Sequence, residues 1–286
     1  FRYPAEPRRN RTPKDDTVSE AAQASAAPAK PKPFFELNVV QVRHWNDNLF
    51  SFRLERPESF RFRSGEFVMI GLEVDGKPLV RAYSVVSPFW EEELEFYSII
   101  APDGKLTPRL KKIQEGDTVL MGKKPTGTLV LDALAPGRNL YMLSTGTGVA
   151  PFASLIRDPE TYEKFEKVVL THTCRTNAEL AYGQDVVKRT LEDPLIGEEA
   201  QEKLIHFQSV TQEEGEHKGR ITTLIENGEL FRAIGVDEFH PEQDRIMICG
   251  SEYMLKDLKE MAESRGFIEG SNAAPGQFVI EKAFVG

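Results

Sequence analysis

The chain has 286 residues, of which 40% are hydrophobic and 28% charged, and its formal net charge is −9. That length suits two cores rather than one. No apolar run approaches the roughly 18 residues that cross a bilayer, and two distant cysteines, Cys174 and Cys249, exclude an iron–sulfur cluster or a CxxC redox pair.

Residues 1–33 hold Pro4, Pro7, Pro13, Pro28, Pro31 and Pro33 and a small-residue stretch at 21–29, and they read as a disordered tail. The tail starts at Phe1, so it is expected to be a fragment of something longer or a translated upstream stretch. Arg2, Arg8, Arg9 and Arg11 suit a transit peptide, whereas Glu6, Asp15, Asp16 and Glu20 argue against one; the expected compartment is the cytoplasm. Seven basic and four acidic residues fall in this tail, so residues 34–286 carry −12, an acidic body unsuited to general nucleic-acid binding.

From 34 to about 135 the pattern is β. Phe50, Phe52 and Leu54 alternate with Ser51, Arg53 and Glu55, which predicts a strand with one buried face. Further strand-like runs lie at 37–42, 67–72, 82–86, 94–99 and 118–121, punctuated by Gly65, Gly76, Pro78, Pro88, Gly104 and Gly116. Short strands at such spacing suggest a sandwich or barrel. One helix interrupts them, with Thr107 as its expected N-cap, Pro108 at the first helical position, and Leu106, Leu110 and Ile113 on one face. After Pro136-Gly137 strand-like runs at 140–143, 168–173, 204–207, 246–249 and 278–280 alternate with helical stretches. One stretch aligns Leu180, Val187 and Leu191; another aligns Met254, Leu258 and Met261. That alternation predicts a parallel sheet covered on both faces, with ligands bound past the carboxyl ends of its strands.

Three motifs carry chemistry. In Arg81-Ala82-Tyr83-Ser84 an arginine suited to a pyrophosphate and a tyrosine suited to a flavin ring share one strand face. Taken alone, the motif fits an edge strand with a surface arginine equally well. In 102–108, Gly104 permits close backbone approach and the following helix offers free N–H groups, although a capped surface helix has the same pattern. In 145–151, Thr-Gly-Thr-Gly-Val-Ala-Pro follows a strand and opens a helix, with Pro151 where a dinucleotide fingerprint would have its third glycine. His44, His172, His206, His217 and His240 show no metal-ligand spacing, so no metal is expected, and His172 reads as a packed strand residue.

The order of RxYS, PDGxLT, GTGVAP, CGS before a helix and a terminal Ala-Phe-Val-Gly resembles the ferredoxin–NADP reductase superfamily. Residues 62–70, 145–154 and the AFVG end are similar to the bacterial ferredoxin/flavodoxin–NADP(+) reductases, and the likeness runs from about 42 to 286. The resemblance implies a six-stranded antiparallel β-barrel FAD domain at 34–135 and a five-stranded parallel α/β NADP-binding domain at 136–286. It implies FAD held by Arg81, Ala82, Tyr83, Ser84, Tyr97, Gly104, Lys105, Leu106, Thr107 and Thr147, with Tyr83 stacked on the ring and Phe284 on the adenine. It also implies NADP held by Thr145, Gly146, Gly148, Arg175, Thr176, Thr211, Gln212, Arg220, Gly250, Ser251, Glu252 and Asp257. Tyr83, Ser84, Cys249, Glu281 and Ala283 would stand at the reacting centre. Ala283 replaces a terminal aromatic residue of other relatives, and Glu281 matches an acid linked to proton delivery or is a surface glutamate.

Gln212 departs from the family pattern, where an arginine grips the 2′-phosphate; Arg175, Arg220 and Lys218 remain to do so, and NADPH stays the expected donor. The implied activity is exchange of a hydride with NADP(H) and of single electrons with ferredoxin or flavodoxin. Such carriers are acidic, so Lys105, Arg109, Lys111, Lys112, Lys123 and Lys124, close in sequence to the flavin motif, are expected to form a docking face, or else a solvated helix face. Two other readings are the NADH-dependent reductase component of an oxygenase, which Gln212 favours and the AFVG end disfavours, and a non-catalytic flavin-binding sensor.

Overall fold

The alternation at 50–55 becomes a strand with its apolar side inward. In the computed structural model, which describes residues 33–282, the first half forms β1 (Phe34–His44), β2 (Leu49–Glu55), β3 (Phe67–Val74), β4 (Lys77–Ser84), β5 (Glu93–Ile99), α1 (Thr107–Leu110) and β6 (Thr118–Gly122). The tail up to residue 32 and the assignments for Ala283 and Phe284 lie outside the described residues. The six strands make an antiparallel sheet in the order β4-β3-β6-β1-β2-β5. Just past β4, Val85 N–H donates to Glu66 O at 3.0 Å and Val86 N–H to Glu95 O at 2.9 Å. The first bond extends the β3–β4 pairing and the second brings the end of β4 to the other edge strand, β5, so the sheet curls into the expected barrel.

Phe50, Phe52 and Leu54 are fully buried inside it, with Phe52 between Phe50 and Phe96 at centroid distances of 6.0 and 5.5 Å. Each contributes about 1.5–3 kcal/mol of burial. The opposite face of β2 was expected to meet solvent, yet Leu49 and Ser51 are buried too. Trp45 accounts for this. Its indole N–H donates to Ser51 Oγ at 3.0 Å, and its ring meets Tyr182 from the second half edge-on at 5.2 Å. The run expected at 82–86 is offset. β4 starts at Lys77 because Asp75 and Gly76 take positive φ (51° and 72°) in a two-residue hairpin, and Pro78 is tolerated on an edge strand. Thr107 is not the N-cap of α1; Leu106 is. The Thr107 hydroxyl instead accepts from Ala101 N–H at 2.9 Å, closing the turn before the helix.

The second half runs β7 (Asn139–Thr145), α2 (Ala150–Leu155), α3 (Pro159–Lys164), β8 (Lys167–Cys174), α4 (Ala181–Leu191), α5 (Gly197–Lys203), β9 (Leu204–Val210), α6 (Ile221–Glu226), α7 (Glu229–Ile234), β10 (Asp244–Gly250), α8 (Glu252–Ser264) and β11 (Phe278–Lys282). Its parallel sheet has the order β11-β10-β7-β8-β9. The chain steps outward from β7 through β8 and β9, then returns to the other side of β7 with β10. Strands diverge in connection at that point, and a crevice opens beyond their carboxyl ends.

The two sheets share a core. Leu49, Val86 and Tyr97 pack in one apolar cluster with Met142, Phe152, Tyr182 and Met247. Buried Glu95 of β5 adds a polar tie, accepting from Arg53 and Arg189 at 3.0 Å each and from the Tyr182 hydroxyl at 3.2 Å. Burial would raise its carboxyl pKa, but Arg189 and Arg53 hold it below the ordinary carboxylate range. Among the described residues no helix is long and apolar enough to cross a membrane.

Candidate active site

β4 delivers the first motif. Its pairing sets Tyr83 opposite Val68 and Ser84 opposite Phe67. Tyr83 is 9% exposed, drawn into the barrel wall with its ring edge-on to Phe52 at 6.4 Å. Its hydroxyl meets Ser98 Oγ of β5 at 3.0 Å, and burial pushes its pKa up. Ser84 is half-buried and Ala82 buried. The Arg81 guanidinium makes one side-chain bond among the described residues, from Nη1 to Val80 O at 2.8 Å. Most of its donors are therefore left for an anion.

The residues expected beside this strand separate. Tyr97 lies on the face of β5 opposite Ser98, where its ring stacks on Tyr182 at 3.8 Å and 12°; it belongs to the junction between the sheets, away from Tyr83. The Leu106 side chain is fully buried in the barrel core and Thr107 is 1% exposed. Both can offer a ligand only backbone. Gly104 is half-buried and Lys105 exposed in the same turn.

The crevice between β7 and β10 brings two turns from distant parts of the chain into contact. A Cβ at Gly148 would stand 2.2 Å from Cys249 O, and one at Gly250 2.2 Å from Thr145 Oγ1. Both glycines are therefore required by protein packing, Gly148 included, which the resemblance gave to NADP. Thr145 Oγ1 also accepts from Ser251 N–H at 3.1 Å. Gly146 is different: it has φ 52° and nothing within 4 Å of where a Cβ would be, so its outer face is an open cradle. Thr147 beside it is half-buried. Cys249 is buried at 3% exposure between Ser144 and Glu281 in the sheet register, and burial pushes its thiol far up.

Glu281 is a tie between the two halves rather than a surface residue. Its Oε2 accepts from Thr128 N–H at 2.9 Å and lies 3.3 Å from Thr128 Oγ1. Burial raises its carboxyl pKa, and the Thr128 bonds offset only part of that.

A third group lies past β8 and β9. Thr211 N–H donates to Cys174 O at 3.1 Å and Gln212 N–H to Arg175 O at 3.0 Å, so the two loops run together. Arg175 and Arg220 are exposed, and neither guanidinium makes an ion pair among the described residues. Lys218 is engaged by Glu214. Thr176 is half-buried beside Arg175. Ser251 caps α8, accepting from Met254 N–H at 3.4 Å. Glu252 pairs with Lys282 at 3.0 Å, and Asp257 is exposed in the second turn of the helix.

The six basic residues do not form one patch. Lys111 and Lys112 line a groove with Val42 and His44, whereas Lys123 sits over the Phe35 ring at 5.1 Å. Phe35 and Val42 are seven residues apart on β1, about 23 Å at the usual strand rise. Lys105 and Arg109 belong with the first group, since Arg109 donates to Lys105 O at 2.6 Å.

Ser98 and Thr128, which hold Tyr83 and Glu281, escaped the sequence reading, and His172, read as a packed strand residue, is one but also holds the Gly146 carbonyl. Their partners lie 15, 153 and 26 residues away, and no local pattern announces such pairs.

Comparison with known proteins bears on the same regions. Residues 35–130 match the oxidoreductase FAD-binding domain and residues 142–260 the oxidoreductase NAD-binding domain. A flavodoxin/ferredoxin–NADP reductase of Rhodobacter capsulatus is 55% identical over 261 residues, 91% of this chain and 96% of that one. A ferredoxin–NADP reductase of Pseudomonas aeruginosa is 52% identical over 248 residues, 86% and 96% of the two chains. Among solved structures, a ferredoxin NADP+ reductase from Neisseria gonorrhoeae with bound FAD and NADP superposes with a TM-score of 0.80 at 30% identity, covering 88% of this chain and all of that one. With this likeness along nearly its whole described length, the chain belongs to the bacterial ferredoxin/flavodoxin–NADP reductase family.

Proposed function

We propose that the protein is a flavoenzyme exchanging electrons between NADP(H) and ferredoxin or flavodoxin through FAD, with residues 34–135 binding FAD and residues 136–286 binding NADP, and that it works in the cytoplasm. The observation that carries this reading is the pair of uncommitted anion grips on one fold: Arg81 on the barrel wall, and Arg175 with Arg220 beyond the crevice. Bound FAD supplies the chemistry, accepting two electrons as a hydride and releasing them singly.

The chain's own residues bind and orient. Arg81 suits the FAD pyrophosphate, because a guanidinium forks onto phosphate oxygens. Ser98 holds the Tyr83 hydroxyl so that the ring keeps one angle in the wall, and Ser84 offers a hydroxyl beside it. Thr128 holds the Glu281 carboxyl at the end of β11, and burial raises its pKa, which suits a part in proton delivery. The open face of Gly146 suits close approach of the dinucleotide, and the interlocked Gly148 and Cys249 hold that turn against β10. Arg175 and Arg220 suit a 2′-phosphate. The parts given to Ala283 and Phe284 rest on the sequence alone. For the carrier, the group Lys105, Arg109, Lys111 and Lys112 is the docking face we favour, since these residues lie together beside the turn that follows β5.

Gln212 favours a second reading, an NADH-dependent reductase serving an oxygenase, because its loop is bonded to that of Arg175 and it puts an uncharged side chain where the family pattern has an arginine. Anaerobic stopped-flow reduction of the bound flavin by NADPH and by NADH, measured separately, decides between them. Fast bleaching by NADPH and slow bleaching by NADH is the expected result. Equal or faster bleaching by NADH would favour the oxygenase reading, and none with either would leave a flavin-binding sensor.

A further inference from the structure

His172 is buried, and nothing in the reaction given above uses it. It lies on β8 beneath the turn at 145–148, with no exposed surface. Its Nε2 is 2.9 Å from the Gly146 carbonyl oxygen, and the Cys174 thiol lies 3.3 Å from the same nitrogen. Among the described residues Nδ1 has no hydrogen-bond partner. That nitrogen faces Gly183 of α4, where a Cβ would stand 2.5 Å from it. Two local sacrifices thus meet at one ring. A polar atom is buried without a partner, which destabilises the fold. A glycine also occupies the interior of a helix, where alanine would be the better helix former. An apolar side chain at 172 and alanine at 183 would remove both. What the histidine provides in return is its bond to the carbonyl of the residue whose φ of 52° shapes the turn. Burial lowers the imidazole pKa to about 4, so at neutral pH the ring is uncharged and has a single N–H to give.

We propose that His172 is a positioning residue for the nicotinamide half of the dinucleotide, holding the Gly146 carbonyl inward so that the open face of the turn points into the crevice. The inference rests on the dinucleotide reading above. It concerns the turn alone, and the arginines past β8 and β9 are outside its reach.

The test measures binding to the FAD-loaded protein by calorimetric titration with two probes, NADP+ and 2′-phospho-AMP, which lacks the nicotinamide half. His172→Phe fills the space without a donor and should weaken NADP+ about tenfold, or about 1.4 kcal/mol, with 2′-phospho-AMP changed less than about twofold. His172→Gln keeps an N–H and should recover most of the loss. Gly183→Ala pushes the ring from its seat and should weaken NADP+ selectively as well, which keeps the proposal testable should the phenylalanine variant not fold. Unchanged NADP+ affinity in both the phenylalanine and alanine variants, parallel loss of both probes, or equal weakening by phenylalanine and glutamine would overturn it. If the wild-type protein bound neither probe, the dinucleotide reading itself would fail.

Discussion

Replacing Gly148 with alanine tests whether the two crevice turns hold each other in place. The new Cβ would stand 2.2 Å from Cys249 O and 2.6 Å from its carbonyl carbon. Carbon–oxygen contacts settle near about 3.3 Å, so the turn or the end of β10 has to move by roughly 1 Å. Cys249 cannot yield easily: it is backbone in an interior strand, paired in register with Ser144 on one side and Glu281 on the other. Overpacking of this kind costs about 1–3 kcal/mol of stability. A misplacement of about 1 Å at a reacting centre can cost about a hundredfold in rate. Gly116→Ala is the control. It strains a residue with φ 88° and open space around it, far from the crevice in sequence and in the turn before β6, and so lowers stability by about 1–2 kcal/mol without moving the crevice turn. The assay is NADPH-dependent ferricyanide reduction, with urea unfolding measured in parallel. Gly148→Ala should lose about a hundredfold in kcat/KM while Gly116→Ala stays within about threefold of wild type. If Gly148→Ala turned over within about threefold of wild type, the interlock would not be what positions the turn.

Glu95→Gln should destabilise the protein by about 2–3 kcal/mol in urea unfolding at neutral pH, less than for a fully buried pair because the Arg53 and Arg189 side chains are 24% and 30% exposed. The Glu95 carboxyl is held below its unfolded pKa, so its contribution is present above about pH 4.3 and is lost as pH falls through the lower folded value. The gap between variant and wild type should narrow in that acid range, and a constant gap would refute the charge argument. Gln212→Arg should raise the NADPH/NADH ratio of kcat/KM about tenfold or more, since a charge-assisted contact is worth about 1.5–3 kcal/mol; an unchanged ratio would refute it. Reversing charge at Lys111 and Lys112 should slow reduction of an acidic protein carrier and leave ferricyanide reduction intact. Equal effects on both acceptors would remove these lysines from the docking face.

Local chemistry was legible in the sequence because it depends on near neighbours. The period-two run from Phe50 to Leu54, the break at Pro136-Gly137 and the alternation of strand and helix after it follow from backbone geometry within a few residues, and they predict a barrel followed by a parallel sheet. The family was legible in a different way, through the resemblance carried by the order of RxYS, PDGxLT, GTGVAP, CGS and the AFVG end. Periodicity, however, tells which face of a strand is apolar and not what covers it. The stack of Tyr97 on Tyr182 was therefore not legible, and Ser51 was assigned to solvent although Trp45 covers it. Lysines adjacent in sequence fall into two groups because β6 carries Lys123 and Lys124 away from Lys111 and Lys112. Strand order decided the rest. Only the return of β10 to the side of β7 brings Cys249 against Gly148, and only the end of β11 brings Glu281 to Thr128. Contacts of that kind join residues a hundred or more positions apart, and they exist because two sheets bury apolar faces together, a condition the whole chain satisfies and no single segment encodes.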